Sequence, residues 1–374
     1  MAQKIRNTTG KPQNVLAKEN QINQKIQKEL LPALPSFVAK YNSYMSSEGR
    51  AVKTRLAYLQ DLTHFFEYMI QDTGLSKAEE IKDISLEEVE SLKGRDINEY
   101  LSYVESYEAP DGTVLRNGVD GRARKRSSIA SLLKYLYQND YIEQDVTGKI
   151  MKISAKNAKK PVIALEENEV LDLIDVVTNG QDLTDHQRKY WAKTRYRDKF
   201  ILTLFVVAGL RVSELQQLNI SSFNMKREEF VIYRKRGKRS VIPMNRTLVD
   251  AYTEYMESDR GHCTNVASGH EDALFLGLSA KRKGADGKMV PQGRKRLSVG
   301  QIRALVHNYT ALVIGSDGVS PHKLRATAAT TAIRRGSDIS KIASLLDHDN
   351  IQTTKRYVRT TEEDRRDVIS KMDL

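Results

Sequence analysis

From Leu34 onward apolar residues recur every three or four positions, a spacing that predicts a run of helices. Phe37, Tyr41 and Tyr44 share one face of the first helix. Tyr58, Leu62, Phe65, Phe66 and Met69 repeat the pattern in a longer helix that ends near Gly74. Ile97, Leu101 and Val104 mark a third, and Ile129, Leu132, Leu133, Leu136 and Tyr137 a fourth. Between the last two, residues 109–122 carry Asp-Gly and Asn-Gly dipeptides and read as a hairpin or loop. Residues 31–147 are thus expected to form an all-helical domain. The preceding residues 1–30 are polar and basic with no steady period, and are expected to be a mobile tail ending in a frayed helix at most.

The pattern changes after residue 147. Residues 148–164 are basic, weakly patterned and contain Pro161, which suits a linker. From Leu165 a stretch with an acidic first turn and an apolar stripe opens a second domain. Lys199 to Leu210 is apolar on nearly every side and predicts a buried helix. Glu229–Tyr233 and Ser240–Pro243 are β-prone runs flanking a basic turn, the signature of a hairpin. Further helices are expected over 248–256, 299–313, 322–335 and 339–346, with a basic glycine-containing loop over 279–296. The chain therefore reads as mainly α with a small antiparallel sheet: a helical first domain, then an α+β domain over 165–357. Residues 358–374 suffice for one tail helix, in which Val368, Ile369 and Met372 supply an apolar face.

Composition adds a partner. With 374 residues, 40% of them hydrophobic, the chain is long enough for two packed cores. Its net charge of +12 favours a polyanion, since each phosphate neutralised by Lys or Arg releases a counterion. The basic residues cluster, which makes Arg122, Arg124, Lys125, Arg126, Lys159, Lys160, Arg236, Lys238 and Arg239 candidate DNA contacts. The single Cys263 excludes an intrachain disulfide, and with His262 and His270 it makes a poor zinc site, so no metal is expected. No apolar run approaches the roughly 18 residues of a membrane span, and no secretory stretch opens the sequence, so a cytoplasmic protein is expected.

Four short blocks carry chemistry: AGLRVSEL (208–215), RKRGKR (234–239), HKLRATAAT (322–330) and LLDHDNIQTTKRY (345–357). Arg211 and Glu214 stand three apart where a buried helix emerges, as do His322 and Arg325 on a helix opened by Ser320-Pro321. An imidazole beside a guanidinium is disfavoured as a cation, so His322 is expected neutral and able to accept a proton. His348 precedes Tyr357 by nine positions, and Lys355 and Arg356 argue for phosphate near that phenol. In the basic turn, Lys235, Lys238 or an arginine neighbour could face the chemistry. Guanidiniums, imidazoles, an ammonium and a phenol, with no carboxylate pair or thiol, suit attack on a phosphodiester activated by positive charge.

Taken in order, the four blocks resemble those of the tyrosine recombinases, the lambda-integrase-type family with its Xer-like two-domain members. The resemblance covers residues 165–360 well and the first domain in plan only. It implies a helical, SAM-like core-binding domain followed by a catalytic domain of the DNA breaking-rejoining type. It implies a catalytic set of Arg211, Lys235, His322, Arg325, His348 and Tyr357, supported by Glu214, with no cofactor. Tyr357 would attack and join the 3′ phosphate, and Lys235 would protonate the leaving oxygen. The implied partners are duplex recombination sites and three further copies of the chain, held through residues 358–374, with the chain monomeric or weakly associated without DNA. The sequence departs from the family in two places: Ala326 and Asp347 stand where histidine and glycine are common. A type IB topoisomerase-like nicking-closing enzyme and a catalytically silent DNA-binding protein are the alternatives.

Overall fold

A computed structural model describes residues 13–71, 73–108, 111–153, 164–234, 237–279, 281–283, 289–315, 318–347 and 354. The chain divides into two compact units, residues 1–159 and 160–374.

The first unit contains α1 (Gln13–Lys25), α2 (Ser36–Ser47), α3 (Val52–Ile70), α4 (Leu86–Ser91), α5 (Gly94–Tyr103) and α6 (Val119–Gln138). Ser85 and Glu88 form a reciprocal cap that starts α4. Phe37, Tyr41, Phe65, Phe66 and Tyr100 fill the centre, and the Tyr41 hydroxyl ties α2 to α6 by donating to Ser131 Oγ at 2.7 Å. Strands β1 (Ser106–Glu108) and β2 (Val114–Arg116) pair antiparallel, making the segment between α5 and α6 a hairpin.

Three expectations are corrected here. Residues 13–30 are not a tail. Ile26 is wholly buried and Asn23 accepts a 2.8 Å bond from Arg55, so α1 and the wide turn Ile26–Leu30 belong to the bundle. Ile22, Ile26 and Leu30 do repeat every fourth residue, but the polar residues between them hide the period. Tyr137 is 42% exposed, and Tyr135 takes the buried place instead. Ile150 also packs into this core, so the segment expected to link the units begins inside the first.

The second unit opens with α7 (Glu167–Asn179) and α8 (Asp185–Thr203), followed by a wide turn Leu204–Ala208 and α9 (Val212–Gln216). The buried helix expected from Lys199 is only the end of α8. Its first half hid because the inward residues include Thr194, Arg197 and Asp198, which satisfy one another. Strands β3 (Phe223–Asn224), β4 (Glu229–Tyr233) and β5 (Arg239–Pro243) form an antiparallel sheet in that order. Then come α10 (Arg246–Ser258), a hairpin of β6 (Lys281–Lys283) and β7 (Met289–Pro291), α11 (Val299–Ile314), α12 (Pro321–Arg334) and α13 (Ile339–Leu346). The β6–β7 pair replaces part of the loop expected over 279–296. Ala326, Thr327, Ala328 and Ala329 are buried along α12, small enough to let this helix run through the middle of the unit.

Candidate functional site

Two helix starts and one helix end build the site. The wide turn after α8 stops at Gly209, whose φ of 61° is left-handed. A Cβ there would stand 2.8 Å from the Leu346 side chain, so glycine is needed both for the turn and for the close approach to α13. The Gly209 carbonyl accepts a 2.6 Å bond from Arg325 Nη1.

Arg211 follows as the extended residue that precedes α9. Glu214 reaches back one turn: Oε2 accepts the Arg211 backbone N–H at 2.8 Å, and Oε1 accepts Arg211 Nη1 at 2.7 Å. Glu214 is 3% exposed, and its carboxylate also lies 3.7 Å from Arg325 Nη1. One buried carboxylate therefore orients both guanidiniums, which like charge would otherwise drive apart.

Arg325 is 2% exposed on α12, one turn beyond His322. Pro321 occupies the first turn of that helix as expected, but the Ser320 side chain makes no capping bond. His322 is open to solvent. Its imidazole is pushed below the usual range by lost hydration on its protein side, then by Arg325 and Arg211. The ring is therefore neutral near pH 7 and free to accept a proton.

The end of α13 meets these cations. Its final carbonyls lack intrahelical donors and carry the negative end of the helix dipole. Arg234 Nη2 donates to Leu345 O at 2.5 Å, Arg325 Nη2 donates to Leu346 O, and Arg211 Nη2 donates to Asp347 O at 3.0 Å. Three arginines from three elements thus take three consecutive carbonyls, directly before His348 in sequence. The Asp347 carboxylate adds a 2.7 Å bond from Lys238 Nζ and approaches Arg211 Nη1 at 3.7 Å. Burial raises the pKa of that carboxyl, but the Lys238 bond and the charges of Arg234, Lys238 and Arg211 outweigh it and hold it low.

Arg234, 7% exposed, is the residue that sequence reasoning left unresolved among its basic neighbours. Strand parity is the signal that finds it. Phe230 and Ile232 point inward on β4, and a further step of two places Arg234 inward as well. Its Nε bonds Ser240 Oγ at 2.8 Å, while its buried Nη1 has no hydrogen-bond partner among the described residues.

Among the predicted site residues, Arg211, Glu214, His322 and Arg325 come together, with Lys238 beside them. Lys235, Arg236, His348, Tyr357, Lys159 and Lys160 lie outside the described residues. In the first unit Lys125 is corrected: it is buried against α3, 3.6 Å from Asp61, and does not face solvent. Its neighbours also have protein partners. Arg122 bonds Glu105 at 2.6 Å, Arg124 bonds Asp61 at 2.6 Å, and Arg126 bonds the carbonyls of Met151 and Ile150. Arg239 is exposed at the start of β5. Among the described residues no group of three His, Cys, Asp or Glu side chains stands close enough to hold a metal ion. No described helix is long and apolar enough to cross a membrane.

A buried Arg325 and a partly exposed Arg211, paired through one buried carboxylate beside a neutral imidazole, suit an oxyanion that undergoes proton transfer. Comparison with known proteins names the class. The phage integrase family model matches residues 163–364. Tyrosine recombinase XerC of Caldanaerobacter subterraneus is 26% identical over 351 residues, covering 91% of this chain and 87% of its own. Tyrosine recombinase XerS of Lactococcus lactis is 24% identical over 372 residues, covering 95% of this chain and all of its own. Among solved structures, the Tn1549 transposon integrase in complex with transposon right end DNA has a TM-score of 0.58 at 17% identity, covering 89% of this chain and 98% of its own. The XerH recombinase bound to its difH substrate has a TM-score of 0.56 at 17% identity, covering 96% and 90%. The chain belongs to the phage integrase family and is a tyrosine site-specific recombinase.

Proposed function

We propose that this recombinase cuts and rejoins duplex DNA through Tyr357, with Arg211 and Arg325 holding the scissile phosphate. The observation that carries this reading is the shared buried carboxylate of Glu214, which presents both guanidiniums next to the exposed His322. Attack by the Tyr357 hydroxyl forms its bond to phosphorus and breaks the bond to the 5′ oxygen. The tyrosine proton passes to neutral His322, and Lys235 returns a proton to the leaving 5′ oxygen. Arg211, Arg325 and His348 stabilise the negative charge that builds on the non-bridging oxygens. Reversal with the 5′ hydroxyl of a second duplex completes strand exchange and conserves the bond energy. No cofactor enters these steps, since the arginines and the lysine supply the positive charge.

Exchange of four strands calls for four copies on two DNA sites, and residues 358–374 are the segment we assign to holding neighbours together. The protein works on DNA in the cytoplasm, in integration or excision of a mobile element or in resolution of DNA multimers. The test is a duplex nicked near a cognate site. The intact protein should become trapped as a covalent adduct on a denaturing gel, and Tyr357→Phe should not. An adduct that survives that substitution overturns the nucleophile. Products with exchanged flanks separate a recombinase from a topoisomerase-like nicking-closing enzyme.

A further inference from the structure

Asp347 ends α13 at a φ of 52°, a left-handed conformation that glycine adopts freely and aspartate tolerates better than most residues. A glycine at this position would bring no side chain. Aspartate brings a carboxylate, and the structure places it among cations. One oxygen accepts from Lys238 at 2.7 Å, and the other stands 3.7 Å from Arg211. The Asp347 side chain is 12% exposed, whereas Lys238 is 67% exposed, so this pair lies at the solvent edge of the site.

We propose that the Asp347 carboxylate is a built-in counter-ion of the phosphate site, which an incoming phosphodiester must displace from Arg211 and Lys238. The proposal rests on the reading that Arg211 binds phosphate. Glu214 and Asp347 have different parts in it. Glu214 is almost fully buried, reaches both arginines and stays put to orient them. Asp347 shares Arg211 with Glu214 but holds it more loosely, at 3.7 Å against 2.7 Å, and turning its short side chain about two torsions releases Arg211 and Lys238. A carboxylate and a phosphodiester each carry one negative charge and compete for the same donors. Together beside Arg211 they repel, because neither is far enough away to be screened. The carboxylate therefore offsets part of the positive charge of the site before DNA arrives, and phosphate binding exchanges one anion for another.

That exchange has a measurable signature. A phosphate that displaces an internal carboxylate gains no net positive charge from the site. Without the carboxylate, the same phosphate meets one more uncompensated cation. Asp347→Asn and Asp347→Gly both suit the left-handed turn, so the fold is preserved. The experiment titrates full-length protein with a mixed-sequence duplex at several salt concentrations. Both variants should bind on the order of ten-fold tighter at low salt, and log affinity against log salt should steepen by about one. Adding Lys238→Gln to Asp347→Asn should shrink the gain. Equal affinity and slope, or weaker binding, overturns the proposal and makes Asp347 a clamp on the β4–β5 turn. A nicked duplex run in parallel tests the parent reading. A wild-type protein that forms no adduct fails that reading, while the salt slopes still decide the role of Asp347.

Discussion

Two basic clusters look alike in sequence and differ in structure. At the start of α6, Arg122, Arg124, Lys125 and Arg126 crowd into five positions but are taken up within their own unit: Arg122 by Glu105, Arg124 and Lys125 by Asp61, and Arg126 by two backbone carbonyls. In the second unit, Arg211, Arg234, Lys238 and Arg325 are spread over more than a hundred positions yet converge on residues 345–347. Density along the chain says little about where charge ends up, because successive helical residues point about 100° apart. Convergence is costly unless an anion is part of the design. Here a buried carboxylate, a helix dipole and Asp347 offset the repulsion. The first cluster is consistent with structural use of charge, the second with charge held ready for a ligand.

Breaking the first cluster should cost folding and leave chemistry alone. Asp61 is almost fully buried between Arg124 and Lys125. Asp61→Ala should destabilise the first unit by about 3–5 kcal/mol, because Lys125 is left buried without its partner. Urea unfolding would measure it. The double variant Asp61→Leu with Lys125→Met should recover most of that loss, since an apolar pair of similar volume replaces a desolvated one. If the single variant costs under about 1 kcal/mol, the pair is no structural element and the contrast fails.

Breaking the second cluster should do the reverse. Arg325→Lys keeps the positive charge near Glu214 but loses the fork that spans the Gly209 and Leu346 carbonyls. Adduct formation on a nicked duplex should fall by roughly 10²–10³-fold, the usual loss for one preorganised donor. Unfolding should shift less than it does in Asp61→Ala. A variant that cleaves at the wild-type rate would remove Arg325 from the chemistry.

Much of this contrast was legible in the sequence, but unevenly. The start of α12 was readable because Pro321 marks its first turn. The three-residue spacing was enough to expect Arg211 with Glu214 and His322 beside Arg325, although Arg211 is extended and Glu214 meets it by reaching back from α9. Helix α1 was missed because its apolar positions are diluted by polar ones, and burial of Ile26 depends on contacts with residues far along the chain. Lys125 was misjudged for the same reason, since its partner Asp61 lies 64 positions earlier. Arg234 needed strand parity, which is meaningful only once β4 is known to bury one face. The carbonyl run at the end of α13 had no sequence signal, since backbone groups carry none.

The histidines sharpen the same comparison with a smaller effect. His64 in the first unit is held down to about 4, by burial first and then by Lys125. The unfolded chain takes up that proton near 6.5, before the folded protein does. Stability of the first unit therefore falls as pH drops from about 6.5 towards about 4 and levels off below. The change should be ~1–2 kcal/mol after allowing for partial exposure, and His64→Phe should flatten it. His322 is also pushed down, so its neutral form persists below the ordinary imidazole range. The acid limb of adduct formation should lie below pH 6.5, and His322→Gln should abolish that limb without touching the stability profile. A limb above 6.5 would mean that His322 is not the proton acceptor.

The smallest expected effects come from single arginines, and they separate the clusters by salt dependence. Arg126 donates through Nε and Nη2 to the carbonyls of Met151 and Ile150, at 2.8 and 3.4 Å. These bonds hold the guanidinium against its own unit. Arg126→Ala should cost about 1 kcal/mol of stability and leave the salt slope of duplex binding unchanged. Arg239 is exposed beside the basic turn, and Arg239→Ala should lower that slope by about one with little change in unfolding. The two substitutions remove the same charge, so net charge alone predicts equal slopes. Equal slopes would show that Arg126 releases its carbonyls when DNA arrives, and the first cluster would then belong with the second.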